Sequence, residues 1–532
     1  MSERYTVLVT DKVSESGLEP LRADDRFEIV KIDDSSDPAF AAALPEAHGL
    51  VVRSATTVHA DLLSAAPRLR VVGRAGVGVD NIDLDAATER GVAVINAPAG
   101  NTVSAAELTL ALILAMVRGV SAADASVRRG EWARSRFKGA ELRGRTLGLV
   151  GAGRIGGEVA TRCRAFGMRV LAYDPYLTDE RADDLRVERA TLDEVFEQAD
   201  VLSFHVPLTD DTRGMVDAGV FGRMKKGAYL VNVARGGVVD EAALVEALES
   251  GTLAGAALDV FATEPLPEDS PLRTAPNLVL TPHLGASTQE AQELVAREIA
   301  EGVRAALAEG DLSKALNAPA ISGAAMKALA PLFDLGRRLG RLGCALAPGG
   351  IENLEIRYHG EDDEALRPLS AFVKVGLLEK ILGADQVNFV SAPALARQRG
   401  IGVARTQLAR YADYTQFVEV VIEAERGSIK IAGALLGEAH PRIVRIADYH
   451  VNVVPDGTLV VLRNRDVPGV IGKVGSLLGE RGVNIAEYHQ ARQSRGGEAL
   501  AAIAVDGDID AALRDDLLTL DEVLSAVVVR LG

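Results

Sequence analysis

The stretch Thr146–Asp174, TLGLVGAGRIGGEVATRCRAFGMRVLAYD, constrains this chain more than any other. An apolar run of strand type, Thr146–Val150, leads into Gly151, Gly153 and Gly156 in the spacing G-x-G-x-x-G. An amphipathic segment from Gly157 to Phe166 reads as a helix that Gly167 ends, and a second apolar run, Val170–Tyr173, leads to Asp174. Each part has a physical task. Gly151 permits a tight turn, Gly153 lets a pyrophosphate approach the backbone, and Gly156 lets helix and strand pack closely. The helix N-terminus offers free N–H groups and the positive end of a dipole to phosphates. Asp174 stands where a carboxylate accepts hydrogen bonds from ribose hydroxyls, which favours NAD over NADP, whose 2′-phosphate would meet a like charge. A tight glycine turn in another α/β fold would leave Asp174 unexplained.

Around this unit, short apolar strands alternate with helices. Strands are expected at 5–10, Phe27–Lys31, Gly49–Val52, Arg70–Gly73 and Val92–Asn96. The alternation resumes at Leu142 and continues to about Leu280. This is the pattern of parallel sheets covered by helices on both faces. Between the two series, Asn101–Val120 reads as one long helix, apolar nearly all round and therefore buried between domains or subunits, with Ser104 and Glu107 as cap and early acid. A helix at 287–308 would carry the chain back to the first domain and make that domain discontinuous.

Composition changes after Asn317–Pro319. Residues 320–455 read as a further α+β domain, with strands at Leu354–Tyr358 and Phe417–Glu423 and a helix at Ala371–Leu382. From Gly457 the pattern is βαββαβ: its first helix is Val470–Glu480, its second lies in DAALRDDLLTL, and its last strand is SAVVVRL. The expected fold class is thus α/β, with two doubly wound parallel-sheet, Rossmann-like domains, an α+β domain and a small C-terminal βαββαβ domain. The expected boundaries are 1–100 with 286–318, then 101–285, 319–455 and 456–532.

At 532 residues with 48% hydrophobic content the chain can build several packed cores. A net charge of −17 argues against nucleic acid as a partner, since phosphate backbones demand basic patches. The two cysteines, Cys163 and Cys344, make no disulfide framework and lie in no metal-ligand spacing, so a reducing compartment fits and no metal is expected. The N-terminus lacks signal-peptide form, and the longest apolar stretch, Ala105–Val117, is too short to span a bilayer. The expectation is a cytoplasmic protein with no membrane partner.

Three further stretches carry residues suited to chemistry. In LVNVARGGVVDE an apolar strand ends at Arg235; in ALDVFATEP, Asp259 and Glu264 lie at or past another strand; in LVLTPHLGA, His283 follows a third. Strand C-terminal ends in such sheets face the ligand crevice. Taken singly, a surface arginine or a structural histidine would explain each. Together they form the set that oxidation of a secondary alcohol needs. Imidazole as a class titrates near neutrality, so a neutral His283 can take the hydroxyl proton as hydride leaves carbon. Glu264 suits the other ring nitrogen, and Arg235 can clamp a substrate carboxylate and polarise the carbonyl in the reverse direction. Arg53-Ser54 and Arg74 through Gly78 also follow predicted strands and could bind an anion such as phosphate, although surface salt bridges would explain the arginines equally well.

The stretches VGAGRIGGEVATRCRAFGMRVLAYDP, VNVARGGVVDEAAL, LDVFATEP and TPHLGASTQEAQ closely resemble the D-isomer-specific 2-hydroxyacid dehydrogenases. NFVSAPALARQRGI resembles the intervening domain of the long-form members, and RDVPGVIGKVGSLLGERGVNIAE resembles an ACT regulatory domain, so the likeness spans the whole chain in order. The resemblance implies NAD-dependent oxidation of D-3-phosphoglycerate to 3-phosphohydroxypyruvate, the first step of the phosphorylated route to serine. It assigns catalysis to Arg235, Glu264 and His283. It assigns dinucleotide contacts to Gly151, Gly153, Arg154, Ile155, Gly156, Asp174, Val233, Ala234, Asp259, His283, Gly285 and Ala286. It assigns substrate contacts to Arg53, Ser54, Arg74, Val77, Gly78 and Asn101. It further implies a homotetramer in which the Trp132–Lys138 segment reaches a neighbouring subunit's site. L-serine as an effector would meet Asn464, Asp466 and Asn484 between two ACT domains; the alternative is an ACT domain that serves assembly alone. Two rival readings are a hydroxypyruvate or glyoxylate reductase, which would normally lack the two C-terminal domains, and a non-enzymatic NADH or amino-acid sensor.

Overall fold

The computed structural model describes residues 4–409, 414–437, 439–507, 509 and 511–532. The first sheet takes β1 (Tyr5–Val9), β2 (Phe27–Lys31), β3 (Gly49–Val52), β4 (Val71–Arg74) and β5 (Ala93–Asn96) in the order β2-β1-β3-β4-β5, all parallel. Its strands are apolar on both faces because helices cover both.

The expected single helix at 101–120 is two. Helix α1 (Thr102–Arg118) ends at Gly119, whose φ of 61° is left-handed, and α2 (Val120–Arg128) leaves at a bend of 63°. A left-handed glycine is a common helix stop. The helix starts at Thr102, so Ser104 is not its cap; the Ser104 hydroxyl instead lies 2.7 Å from that of Thr288. Among the described residues no single helix is long and apolar enough to cross a membrane.

The second sheet contains β6 (Thr146–Val150), β7 (Arg169–Tyr173), β8 (Glu188–Arg189), β9 (Val201–Phe204), β10 (Ala228–Asn232), β11 (Leu253–Leu258) and β12 (Leu278–Leu280), in the order β12-β11-β10-β9-β6-β7-β8. The order reverses beside β6, so the crevice for a ligand opens at its C-terminal end. Helix α3 (Arg154–Ala165), between β6 and β7, starts directly after Gly153 rather than at Gly157. It packs on the sheet through Val159, Ala160 and Cys163, in a core shared with Ile113 and Val117 of α1.

Helix α4 (Gln289–Glu309) then returns to the first sheet, as expected. Its Val295, Ala296, Ile299, Ala300 and Val303 complete the core formed by Val7, Val9, Val51 and Val71. The approach is close: a Cβ on Gly73 would press on Ile299 and Val303.

Helix α5 (Ala330–Leu346), β13 (Ile351–His359), α6 (Leu366–Leu382), α7 (Ala392–Gln398) and β14 (Gly402–Gln407) begin the third unit. Strands β15 (Gln416–Ala424), β16 (Gly427–Leu436), β17 (His440–Ile446) and β18 (Tyr449–Val453) complete a mixed sheet, β14-β13-β15-β16-β17-β18. Gly340 and Gly376 let α5 and α6 touch backbone to backbone, since a Cβ on either would strike the other helix.

The C-terminal unit is β19 (Thr458–Arg465), α8 (Val470–Glu480), β20 (Ile485–Arg492), β21 (Glu498–Val505), α9 (Ala511–Leu518) and β22 (Val523–Arg530). Its antiparallel sheet, β20-β21-β19-β22, has the expected βαββαβ connectivity; Asp510, the first residue of the expected second helix, lies outside the described residues. One face of this sheet carries α8 and α9, and the other merges with the third unit's core.

Candidate active site

The turn after β6 is shaped for a pyrophosphate. Gly151 has φ of 94°, and a Cβ there would meet the His205 carbonyl. A Cβ on Gly156 would strike the Gly151 carbonyl, whereas one on Gly153 would meet open space. Gly151 and Gly156 are thus imposed by packing, and Gly153 leaves the approach clear. No side chain caps α3, so its first N–H groups remain available to a phosphate. Asp174 lies at the end of β7, where its carboxylate accepts from the N–H groups of Ala152 and Tyr176, at 2.9 Å each. These residues fit a dinucleotide, with Asp174 at the ribose end. Arg154 is exposed at the helix start, while Ile155 and Val233 lie half-buried beside α1.

The three chemical residues follow neighbouring strand ends, Arg235 after β10, Glu264 after β11 and His283 after β12. The His283 Nδ1 lies 2.7 Å from Glu264 Oε2, in a pair open to solvent on one side. Glu264 Oε1 accepts from the Phe261 N–H at 3.0 Å, so the carboxylate is fixed before it meets the ring. His283 has φ of 53°, a left-handed conformation that a histidine adopts only when its surroundings enforce it. Buried Asp259 supplies that enforcement. Its carboxylate accepts from the Thr281 hydroxyl at 2.6 Å and from the N–H groups of Leu284 and Gly285 at 2.7 and 2.9 Å. Its carbonyl accepts from the His283 N–H at 2.9 Å. Burial pushes the Asp259 carboxyl above its usual range, against the pull of those donors.

Arg235 sits at the mouth of β10 on a turn built by Asn232, whose side chain donates to the Arg235 carbonyl and accepts from the Ala234 N–H. Its guanidinium spans the crevice between the first two sheets. Nε donates to Asp80 at 3.0 Å, Nη1 to the Ala234 carbonyl at 2.7 Å, and Nη2 lies against Gly78. From the first sheet, the Asp11 carboxylate accepts from the Arg53 and Thr56 N–H groups and holds the Arg53–Thr56 turn. Arg74 is largely buried, and burial together with nearby Arg235 pulls its guanidinium down to about 10. Its Nε, like the Asn101 side-chain oxygen, is enclosed without a hydrogen-bond partner. Arg53 and Ala286 line one small cleft together with Ser14 and Gln292. Val77 is held through its carbonyl by the Asn96 side chain, and Ser54 is exposed.

Sequence reasoning missed Asp11, Asp80, Asn232 and His205. Each contacts a predicted residue or its turn, but only the fold brings Asp11 and Asp80 to their partners, 42 and 155 positions away. His205 had a local signal, a histidine directly after the apolar strand VLSF; its ring meets the Ser203 hydroxyl at 2.9 Å, and enclosure pulls it down to about 4.

The C-terminal candidates do not meet within one chain. Asp466 lines an open cleft with Pro468–Ile471, Gln490 and Arg495, and its carboxylate accepts from Arg492 and the Gly496 N–H. Asn464 is buried with its amide donating to the Arg465 carbonyl, and Asn484 pairs with Asp506 beside the opposite end of β19.

A doubly wound sheet with a dinucleotide turn, facing a histidine–glutamate pair and an arginine, defines an NAD-dependent 2-hydroxyacid dehydrogenase. Known proteins agree. Residues 110–285 match the D-isomer specific 2-hydroxyacid dehydrogenase NAD-binding domain, 328–447 the D-3-phosphoglycerate dehydrogenase intervening domain, and 458–522 the ACT domain. The D-lactate dehydrogenase of Aquifex aeolicus, solved with NAD and lactic acid, is 33% identical at a TM-score of 0.51, over 58% of this chain and 97% of that one. The D-3-phosphoglycerate dehydrogenase of Bacillus subtilis is 39% identical over 99% of this chain and 100% of its own length. That of Mycobacterium leprae is 43% identical over 96% of each. The chain belongs to the D-3-phosphoglycerate dehydrogenase family.

Proposed function

We infer that this chain oxidises D-3-phosphoglycerate to 3-phosphohydroxypyruvate with NAD, the first step of phosphorylated serine biosynthesis, with Arg235, Glu264 and His283 as its catalytic residues. The observation that carries the assignment of roles is the 2.7 Å pair of His283 and Glu264 on the crevice that Arg235 crosses. With Nδ1–H donating to Glu264, the ring presents a bare Nε2 to the substrate hydroxyl and takes its proton. Glu264 holds that tautomer and stabilises the imidazolium that forms. Bound NAD supplies the hydride acceptor. Arg235 orients the substrate carboxylate and, in reverse, polarises the 2-oxo group. Asp259 acts one step removed, as the positioning residue of the 281–285 turn.

The anion contacts belong to the same reading. Arg53 and Arg74 make no ion pair among the described residues, and with Ser54, Val77, Gly78 and Asn101 they suit a phosphorylated acid. We assign 1–100 with 286–318 to substrate binding, 101–285 to NAD, 319–455 to the intervening domain and 456–532 to the ACT domain. L-serine is the proposed effector. Because Asp466 and Asn484 lie apart in one chain, a serine site needs two ACT domains. Exposed Trp132 and the exposed Val120 and Val127 of α2 suit contact with a second subunit in a cytoplasmic homotetramer.

The test is NADH oxidation with 3-phosphohydroxypyruvate against hydroxypyruvate, with and without serine. A preference of about a hundredfold for the phosphorylated acid is expected, equivalent to roughly 2–3 kcal/mol from the anion site. Equal rates would remove phosphate from Arg53 and Arg74 and favour a general hydroxyacid reductase. Inhibition by serine would support the effector assignment; its absence would leave the ACT domain to assembly.

A further inference from the structure

Asp80 reaches across the crevice to Arg235 and has no part in the chemistry assigned so far. It follows β4 on a tight turn closed by the Ile82 N–H, which donates to the Val79 carbonyl at 2.9 Å. Its neighbours on that turn are pinned. The Asn81 side chain donates to the carbonyls of Arg53 and Thr56 at 2.7 and 2.6 Å, and Ile82 pairs with Val58 in an isolated bridge. Asp80 itself bonds nothing on its own unit. Among the described residues its one hydrogen bond is the 3.0 Å bond from Arg235 Nε, 155 positions away. The Asp80 side chain is 66% exposed. Exposed ion pairs add little to stability, so the fold gains little from this one.

The charges around the crevice give the bridge a task. After burial itself, the strongest influence pulling the Arg74 guanidinium down is Arg235, and the strongest holding it up is Asp80, ahead of Arg53 and Asp11. Asp11 is already committed to the N–H groups of Arg53 and Thr56 and to the Thr56 hydroxyl. Asp80 is therefore the acid that offsets the repulsion between Arg235 and Arg74. It does so from one side of the Arg235 fork. Nε goes to Asp80 and Nη1 to the Ala234 carbonyl, while Nη2, lying against Gly78, makes no hydrogen bond among the described residues. A guanidinium is planar and rigid, so holding two of its nitrogens fixes the direction of the third.

We propose that Asp80 is a positioning residue for the reaction: its carboxylate aims the Arg235 guanidinium so that Nη2 is presented to the substrate. The proposal rests on the assignment of Arg235 to the substrate carboxylate and 2-oxo group. Because Asp80 stands on the first unit and Arg235 on the second, the aim is set only when the two units face each other across the crevice. Without the carboxylate, Arg235 is free to turn away from Arg74, and the crevice still attracts an anion through its arginines. The loss therefore falls on the reacting geometry rather than on the capture of substrate.

Steady-state NADH oxidation by the full chain tests this, with 3-phosphohydroxypyruvate and with hydroxypyruvate. Wild-type turnover tests the assignment beneath the proposal; the variants, on whichever acid the wild type reduces faster, test Asp80. Asp80→Asn keeps the shape and removes the charge. Its kcat should fall about tenfold or more while KM does not rise. Asp80→Glu keeps the charge on an exposed turn and should retain about a third or more of the wild-type kcat. NADH affinity, read by fluorescence titration, should stay within about twofold in both variants, since the dinucleotide turn lies elsewhere. A wild-type kcat in Asp80→Asn, a rise in KM that accounts for the whole loss, or Asp80→Glu as slow as Asp80→Asn overturns the role of Asp80 and leaves the reaction assignment standing. Loss of NADH affinity would make the bridge a support of the fold and overturn that role as well. A wild type that reduces neither acid overturns both.

Discussion

At the scale of single residues, the proposed site separates the group assigned to react from the groups that hold it. His283 pairs with Glu264, which in the proposed reaction would hold one tautomer, and Asp259 fixes the backbone of the His283 turn. His283→Ala should abolish turnover while leaving NADH binding, measured by fluorescence titration, nearly intact. Glu264→Gln should keep the geometry and lose about 10²–10⁴ in kcat, the usual share of proton transfer. If either variant kept most of its activity, the base would have to be sought elsewhere. His205 makes a different prediction. The unfolded chain protonates this ring near its ordinary value of 6.5, while the folded protein refuses the proton until about 4. Folding therefore loses stability as pH falls from 6.5 towards 4, by at most about 3 kcal/mol because the residue keeps some contact with solvent. Urea melts of wild type and His205→Gln at pH 7 and pH 5 should converge as the pH drops. A constant gap would show that the folded protein protonates this ring as readily as the unfolded chain does.

At the scale of elements, short turns after strands do most of the placing. Gly236 follows Arg235, and a Cβ there would collide with the Phe261 backbone, which leads to Glu264. Gly236→Ala should push the two turns apart and lower kcat/KM by tenfold or more. NADH affinity would change little, because the phosphate turn lies on another strand. An unaltered kcat/KM would show that the contact can relax without cost. These elements also show what the sequence makes legible. Strand positions and the glycine turn could be read because apolar periodicity and φ-specific glycines are local properties. The break at Gly119 could not, because the apolar pattern runs on through it and the helix stop depends on one backbone angle. The start of α3 at Arg154 was hidden for a similar reason, since a glycine-rich first turn carries no helical periodicity. The Arg235–Asp80 bridge and the pinning of Arg53 by Asp11 were hidden because both depend on which strands become neighbours. The pairing of His283 with Glu264 could be inferred because alcohol oxidation demands it, not because 19 positions of separation imply contact.

At the scale of the whole molecule, the two C-terminal units share one core. Leu459, Val461, Leu500 and Val529 of the last sheet lie in the same cluster as Leu335, Leu339 and Ile422. Arg341 extends the joint, binding both the Glu379 carboxylate and the Leu531 carbonyl at 3.0 Å for the latter. Burial works against ionisation of Glu379, but Arg341 and Arg337 hold it below the usual carboxylate range, so the joint stays charged at neutral pH. Calorimetry should therefore show one transition for residues 319–532. A chain ending at 455 should lose solubility or expose enough apolar surface to bind a hydrophobic dye. Two resolved transitions, or a well-behaved truncated chain, would show that the shared core is dispensable.

The return of α4 to the first sheet has a consequence for synthesis. When β5 leaves the ribosome, the sheet it completes still lacks the helix that fills its core, and roughly two hundred residues must follow before that helix is made. At about 5–20 residues per second the delay is on the order of 10–40 s. The nascent chain spends that interval with Val7, Val51 and Val71 uncovered, while the intervening NAD-binding segment has time to fold first.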